Sequence, residues 1–138
     1  MKFLKINNEN ILFLKDFINS MGSSAKKFRY YSKRSPELSI KNHIVTYLLF
    51  EKDSVSYGHL DKDEDKVWLG LCTKEGHYGK GYGKRMMQKL IDSYQGDIYL
   101  SVDIDNQKAI HVYKMFDFEI LKETENIIYM RRKNDTSI

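Results

Sequence analysis

His77-Tyr78-Gly79-Lys80-Gly81-Tyr82-Gly83-Lys84-Arg85-Met86-Met87 is the stretch on which the reading of this chain turns. It closes an apolar, strand-like run, Val67 to Thr73, and opens a segment with Met86, Met87, Leu90 and Ile91 at helical spacing. Three glycines at alternate positions permit a tight turn and a close approach to a ligand. The helix that follows directs unpaired N–H groups and its positive dipole end at that turn. Lys80, Lys84 and Arg85 add positive charge, so the stretch is predicted to cradle a phosphate or pyrophosphate. Two common phosphate loops do not fit. A dinucleotide fingerprint starting at Gly79 or Gly81 needs glycine or alanine where Lys84 or Met86 stands. A Walker-type loop ending in Gly83-Lys84 needs glycine where Tyr78 stands and serine or threonine where Arg85 stands.

What remains is Tyr78-x-x-Gly81-x-Gly83, with a strand before it and a helix after. It resembles the acetyl-CoA pyrophosphate loop of the GNAT superfamily of N-acetyltransferases, Arg/Gln-x-x-Gly-x-Gly/Ala. Leu100, Val102, Asn106, Ala109, Tyr113 and Phe118 stand at the spacings of that family's other signature, Leu-x-Val, then Asn-x-x-Ala-x-x-x-Tyr, then Gly-Phe. The resemblance runs over residues 44 to 130. Tyr78 departs from it by removing a charged or amide contact to the phosphates. Asp117 departs from it by replacing the glycine before Phe118, at a helix end that asks for a left-handed residue.

The 138 residues are one domain's length, and 41% hydrophobic and 13% aromatic content is enough for a core. Residues 1–133 are expected to form one domain and 134–138 a frayed tail. With 30% charged residues and one proline the chain is not read as disordered, and no apolar run approaches the roughly 20 residues of a membrane helix. Met1 to Phe17 lacks a signal peptide's uninterrupted apolar core, so a cytoplasmic protein without a membrane partner is expected. The single Cys72 excludes an internal disulfide and a cysteine-cluster metal site. The acidic tip Asp61 to Asp65 fails as a calcium loop because Lys66 and Cys72 stand where glycine and glutamate are needed, so no metal is expected. A net charge of +4 suits anionic ligands without demanding nucleic acid.

In order, the chain predicts a short strand at Phe3 to Ile6, a helix over Glu9 to Met21, and a second helix capped by Ser24 and broken at Pro36. Strands follow at His43 to Lys52, Val55 to Leu60 and Val67 to Thr73. Then come a helix from Gly83 to Tyr94, a strand at Ile98 to Val102, a helix from Asn106 to Phe116, and a terminal hairpin of Phe118 to Leu121 with Ile127 to Arg132. The order suits a mixed α/β sheet. In the resembled fold the central mixed sheet is flanked by helices, and two parallel strands, here Val67–Thr73 and Ile98–Val102, splay apart to admit the cofactor.

The resemblance implies an acetyl-CoA-dependent N-acetyltransferase. Leu71, Cys72, Thr73, Tyr78, Gly79, Lys80, Gly81, Tyr82, Gly83, Lys84, Asn106 and Tyr113 would meet the cofactor, with Tyr113 directed at its sulfur. Tyrosine is a weaker acid than a thiol by about 1.5 pKa units, so Tyr113 suits a hydrogen-bond donor to the departing thiolate. A core role packing Ala109 and Phe116 is the competing reading. Some family members use a glutamate near the start of the strand before the glycine loop, but Val67 and Trp68 stand there. His59 is the chosen general base, with Glu51, Asp61 or a water chain as rivals. Cys72 is read as a core residue in preference to a nucleophile. Arg29, Lys33 and Arg34 lie in a run that interleaves cations with aromatics. It reads either as a solvated helix face or as an acceptor loop for an anionic amine such as a nucleotide-linked amino sugar. A protein lysine or N-terminus as acceptor, a non-catalytic acyl-CoA sensor and a basic nucleic-acid binder stay open beside it, as does a homodimer through an edge strand of the terminal hairpin.

Overall fold

The computed structural model describes residues 1–134. Strand β1 (Lys2–Lys5) leads into a 3-10 turn, Asn8–Asn10, and helix α1 (Ile11–Asn19). Asn7 caps the turn: its side chain accepts from the N–H groups of Glu9 and Asn10, and the Asn10 side chain accepts from the Asn7 N–H in return. The helical spacing read between Glu9 and Met21 buries Leu14, Phe17 and Met21 against the sheet.

The predicted second helix does not form. Gly22–Lys26 is a 3-10 turn, and residues 27 to 35 run on as turns and bends. Ser24 is buried and donates to the Thr73 carbonyl at 2.7 Å instead of capping a helix. Arg29, Tyr30 and Tyr31 bond in turn to Asp103, Asp61 and Tyr57, three partners spread over two strands. Three consecutive side chains of a helix fan out over about 200° and could not all reach one sheet face. Pro36, expected as a breaker, opens helix α2 (Pro36–Ser39), whose cap is the Ser35 side chain.

The remaining elements are β2 (His43–Phe50), β3 (Ser54–Asp63), β4 (Lys66–Thr73), α3 (Tyr82–Asp92), β5 (Ile98–Asp103), α4 (Gln107–Met115), β6 (Glu119–Glu123) and β7 (Ile127–Arg132). They make a seven-stranded sheet in the order β1-β2-β3-β4-β5-β7-β6. All neighbours are antiparallel except β4 and β5. This is the mixed α/β sheet read from the sequence. One face carries α3 and α4 over a core that includes Leu60, Val67, Met86, Leu90, Ile98 and Leu100. The other carries α1 and the segment after it over Leu48, Tyr57 and Cys72. Strand β6 closes the sheet as an edge, exposed along its length. Asp117 takes the left-handed conformation at φ 71°, as its place after α4 demands. Of the predicted tail, Asn134 is tied through its N–H to Asp97 at 2.8 Å, and the rest lies outside the described residues.

Gly58 sets the distance between β3 and α3. A Cβ there would stand 2.6 Å from Met86 Cγ and 2.8 Å from a Leu90 methyl, both fully enclosed. Gly58→Ala is expected to lower stability by about 1–3 kcal/mol through overpacking, read as an earlier denaturant midpoint at unchanged slope.

Candidate active site

Strands β4 and β5 pair only at Val67 with Ile98 and Trp68 with Tyr99. Beyond Trp68 the two strands part, so the backbone of β4 from Leu69 to Thr73 has β3 on one side and, among the described residues, no strand on the other. Successive peptide units of a strand turn their N–H groups to alternate sides, so one of Leu71 and Cys72 directs its N–H into the gap.

The gap ends at the glycine turn. Gly76, Gly79 and Gly81 have φ of 87°, 76° and 83°, and a Cβ on any of them would meet nothing within 4 Å. These glycines are needed for conformation, not for space. Gly83, read as part of the turn, is helical, and Gly76 takes the third left-handed place. Gly81 is the N-cap of α3, and no side chain of the described residues caps that end. Lys80 and Lys84 flank the first turn, so the end presents N–H groups and cationic charge together. Tyr78 is half exposed, and its hydroxyl is bonded to Ser24. Because Ser24 spends its own proton on the Thr73 carbonyl, Tyr78 is the donor, and the pair ties the loop to the end of β4.

Asn106 caps α4 by accepting from the Ala109 N–H at 3.4 Å. One turn on, Tyr113 is 9% exposed and its hydroxyl makes no hydrogen bond among the described residues. Among the described residues no fully enclosed side-chain oxygen or nitrogen lacks a partner, so the hydroxyl is not wholly enclosed. Burial pushes the Tyr113 pKa up to about 12, with the Cys72 sulfur adding to the rise. Tyr113 is therefore a donor at any physiological pH. Cys72, 3.7 Å from the Met21 sulfur, is itself pushed up to about 12 by burial and stays a thiol.

On the opposite face His59 lies beside Gly70. A side chain at Gly70 would meet the His59 Cε1 and Nε2 atoms at 2.4 and 2.5 Å, so the imidazole edge lies over the β4 backbone. Its Nδ1 is 2.6 Å from the Tyr57 hydroxyl, and its Nε2 makes no bond among the described residues. By the same reasoning as for Tyr113, Nε2 is not wholly enclosed. Burial first, then His43 and Arg34, holds the His59 pKa well below the usual histidine value.

Tyr30 donates to Asp61 at 2.7 Å and lies 2.9 Å from His43 Nε2. An ionised carboxylate only accepts, so the tyrosine proton points to Asp61 and His43 carries its own proton on Nε2. His43 Nδ1 then accepts from Thr46 at 2.7 Å. Burial holds the His43 pKa down to about 4 despite Asp61.

The cations predicted for an anionic acceptor are placed differently. Arg29 makes a two-pronged pair with Asp103 at 3.0 and 3.1 Å. Arg34 lies over the Tyr30 ring, 4.2 Å from its centre. Lys33 makes no ion pair among the described residues. Glu51, a rival base, lines a groove beside the glycine loop with Lys52, His77 and Lys80, away from the Gly70 face. Sequence reasoning missed Ser24, Tyr31, Tyr57 and Gly70. Of these only Gly70 left a signal, as a glycine inside an apolar strand marks close approach.

The model of the acetyltransferase (GNAT) family matches residues 16–118. No curated protein sequence matches. Among solved structures, a GNAT-family acetyltransferase from Streptococcus pneumoniae superposes with TM-score 0.78 at 15% identity, covering 96% of this chain and 98% of that one. The ribosomal-protein-S18-alanine N-acetyltransferase of Escherichia coli gives 0.74 at 14%, covering 99% and 95%. The Salmonella typhimurium protein yncA, solved with its cofactor acetyl-CoA, gives 0.75 at 12%, covering 100% and 96%. At these identities the likeness is one of fold.

The buried histidines give a pH signature. His43 titrates near 6.5 when unfolded and near 4 in the fold, so between those values the unfolded chain binds more protons and stability rises with pH. Melting temperature is expected to hold above about pH 7 and to fall from about 6.5 toward 4. In His43→Gln the slope between about pH 4.5 and 6.5 should flatten, and an unchanged slope would remove His43 as its source.

Proposed function

We propose that this chain, which belongs to the GNAT family of acetyltransferases, transfers the acetyl group of acetyl-CoA to a primary amine. The observation that carries the reading is the coincidence of the β4–β5 gap with a left-handed glycine turn and an uncapped helix end. The residues fit the cofactor. Leu71, Cys72 and Thr73 would hold the pantetheine arm through backbone groups, and Gly79 to Lys84 the pyrophosphate. Asn106 fixes the start of α4 against them. Acetyl-CoA supplies an activated thioester carbonyl and a thiolate leaving group.

The chain's own residues supply the rest. The gap-facing N–H of Leu71 or Cys72 stabilises negative charge on oxygen, because it is fixed in place before that charge develops. Tyr113, held protonated by burial, donates a hydrogen bond to the departing sulfur. His59 Nε2 takes the proton of the acceptor amine, entering over Gly70 from the face opposite α3 and α4. His43, Asp61 and Tyr30 surround that base. With Arg29 and Arg34 engaged internally, a neutral or cationic amine is favoured over a nucleotide-linked amino sugar.

The test is thiol release from acetyl-CoA across spermidine, a peptide beginning with alanine, and a nucleotide-linked amino sugar. Release with at least one amine is expected, and none from a panel widened to amines generally would overturn the reading. In Tyr113→Phe, kcat should fall about 10- to 100-fold with the acetyl-CoA KM unchanged, since the lost hydrogen bond forms only as the thiolate leaves. Gly70→Ala should lower kcat by displacing His59 while leaving CoA binding intact.

A further inference from the structure

We propose that His43, His59 and Asp61 form a site for a divalent ion of the zinc type, and that the bound ion holds the transferase off. The second half rests on His59 as the base in the reading above; the site itself does not. His59 and Asp61 alternate along β3 and so share a face, and His43 is the register partner of Asp61 on β2. One nitrogen or oxygen of each lies within 4.8 Å of those of the other two. The three meet through strand pairing and not through a local ligand motif, which is why cysteine content and the Asp61 to Asp65 tip by themselves point to no metal.

The rest of each side chain identifies the donor atoms. His59 is 2% exposed, its Nδ1 is taken by the Tyr57 hydroxyl at 2.6 Å, and its Nε2 has no partner among the described residues. A nearly enclosed lone pair without a partner is a cost that a metal would remove. His43 Nδ1 is taken by Thr46 at 2.7 Å, which leaves its Nε2. That atom reaches Asp61 through the Tyr30 hydroxyl, 2.9 Å from Nε2 and 2.7 Å from the carboxylate. Two donors on a tetrahedral zinc stand about 3.3 Å apart, so this corner already has nearly the spacing of a ligand shell, with the Tyr30 oxygen close to a fourth position.

The outer contacts are in place as well. A histidine that binds metal keeps its other N–H on a fixed acceptor, and here the acceptors are Thr46, 2% exposed, and the wholly enclosed Tyr57. With the ion on Nε2, the His43 proton sits on Nδ1 and Thr46 accepts it, the reverse of the metal-free arrangement; a hydroxyl serves either way. Two imidazoles and one carboxylate suit zinc and its neighbours, whereas calcium and magnesium call for more oxygen donors. Asp61 offsets one of the ion's two charges. Arg34, over the Tyr30 ring, opposes the ion, but it is exposed and screened by water. An ion on His59 Nε2 occupies the lone pair that the transfer needs, so transfer stops while it is bound.

The full chain, without a histidine tag and stripped of metal with EDTA, is titrated with cobalt(II) and then zinc(II). One equivalent of cobalt should develop the strong visible bands of a tetrahedral ion, and one equivalent of zinc should abolish them. His43→Gln and Asp61→Asn should lose the bands, with metal-free melting curves checking that each variant folds. Thr46→Val should weaken zinc binding about 10- to 100-fold through the lost acceptor. His77→Gln, in the glycine turn, and His111→Gln, on α4, should bind as the wild type does. Absence of tetrahedral bands, or bands unchanged in both His43→Gln and Asp61→Asn, would overturn the site. Acetylation of the alanine-start peptide, read by mass because zinc binds free thiols, should stop at one equivalent of zinc and return with EDTA. Acetylation that continues with the site filled would overturn the inhibition. A metal-free wild-type chain that acetylates no amine would count against the transferase reading instead, and the cobalt spectra would still decide the site.

Discussion

Among the described residues two residue pairs, Val67 with Ile98 and Trp68 with Tyr99, are the whole of the strand pairing between the two parts of the sheet, β1 to β4 and β5 to β7. Every other feature of the site depends on how little that is. A parallel pair with full register would bury the free edge of β4 against β5 and leave its peptide groups satisfied and inaccessible. Divergence after Trp68 opens the sheet between its two layers. The helical layer places Tyr113 at the opening, and the segment after α1 places His59's neighbours there.

The segment from Met21 to Arg34 is held by side chains, not by repeating backbone bonds. Ser24 fastens it to the end of β4, Tyr30 and Tyr31 to side chains of β3, and Arg29 to the end of β5. The Arg29–Asp103 pair is thus a second tie between the two parts of the sheet, at the open end. With the Arg29 side chain 54% exposed it is a weak tie, of the order of 1 kcal/mol or less, and orients the segment more than it stabilises it. The same anchoring explains the electrostatics. Aromatic rings and backbone exclude water around His43, His59 and Tyr57, so burial is the leading cause of each of their shifts.

Much of the fold was legible because its signals are local. The meander strands, α3 with its methionines, and the Asn106 cap follow from periodicity and capping chemistry, and Asp117 from the left-handed requirement at a helix end. The glycine turn was legible in kind, although Gly76 rather than Gly83 supplies its third left-handed residue. The segment from Ser24 to Arg34 was not, because its conformation is set chiefly by partners on strands 26 to 74 residues away, which no window of sequence contains. For the same reason Arg29 and Arg34, which look free for a ligand in the sequence, turn out to be engaged. His59 was read as a base from its residue type, but its orientation depends on Gly70 lying opposite it on the next strand, a matter of register that only the folded sheet supplies.

The central claim is that the β4–β5 gap and the glycine turn together receive one cofactor. Backbone amide shifts of the isotope-labelled protein titrated with CoA test it most directly. Perturbations clustered at Leu69 to Thr73, Gly79 to Lys84 and the α4 turn bearing Tyr113 are the predicted result. Shifts confined to another surface, such as the depression lined by Lys15, Asn19 and Glu37, would contradict it.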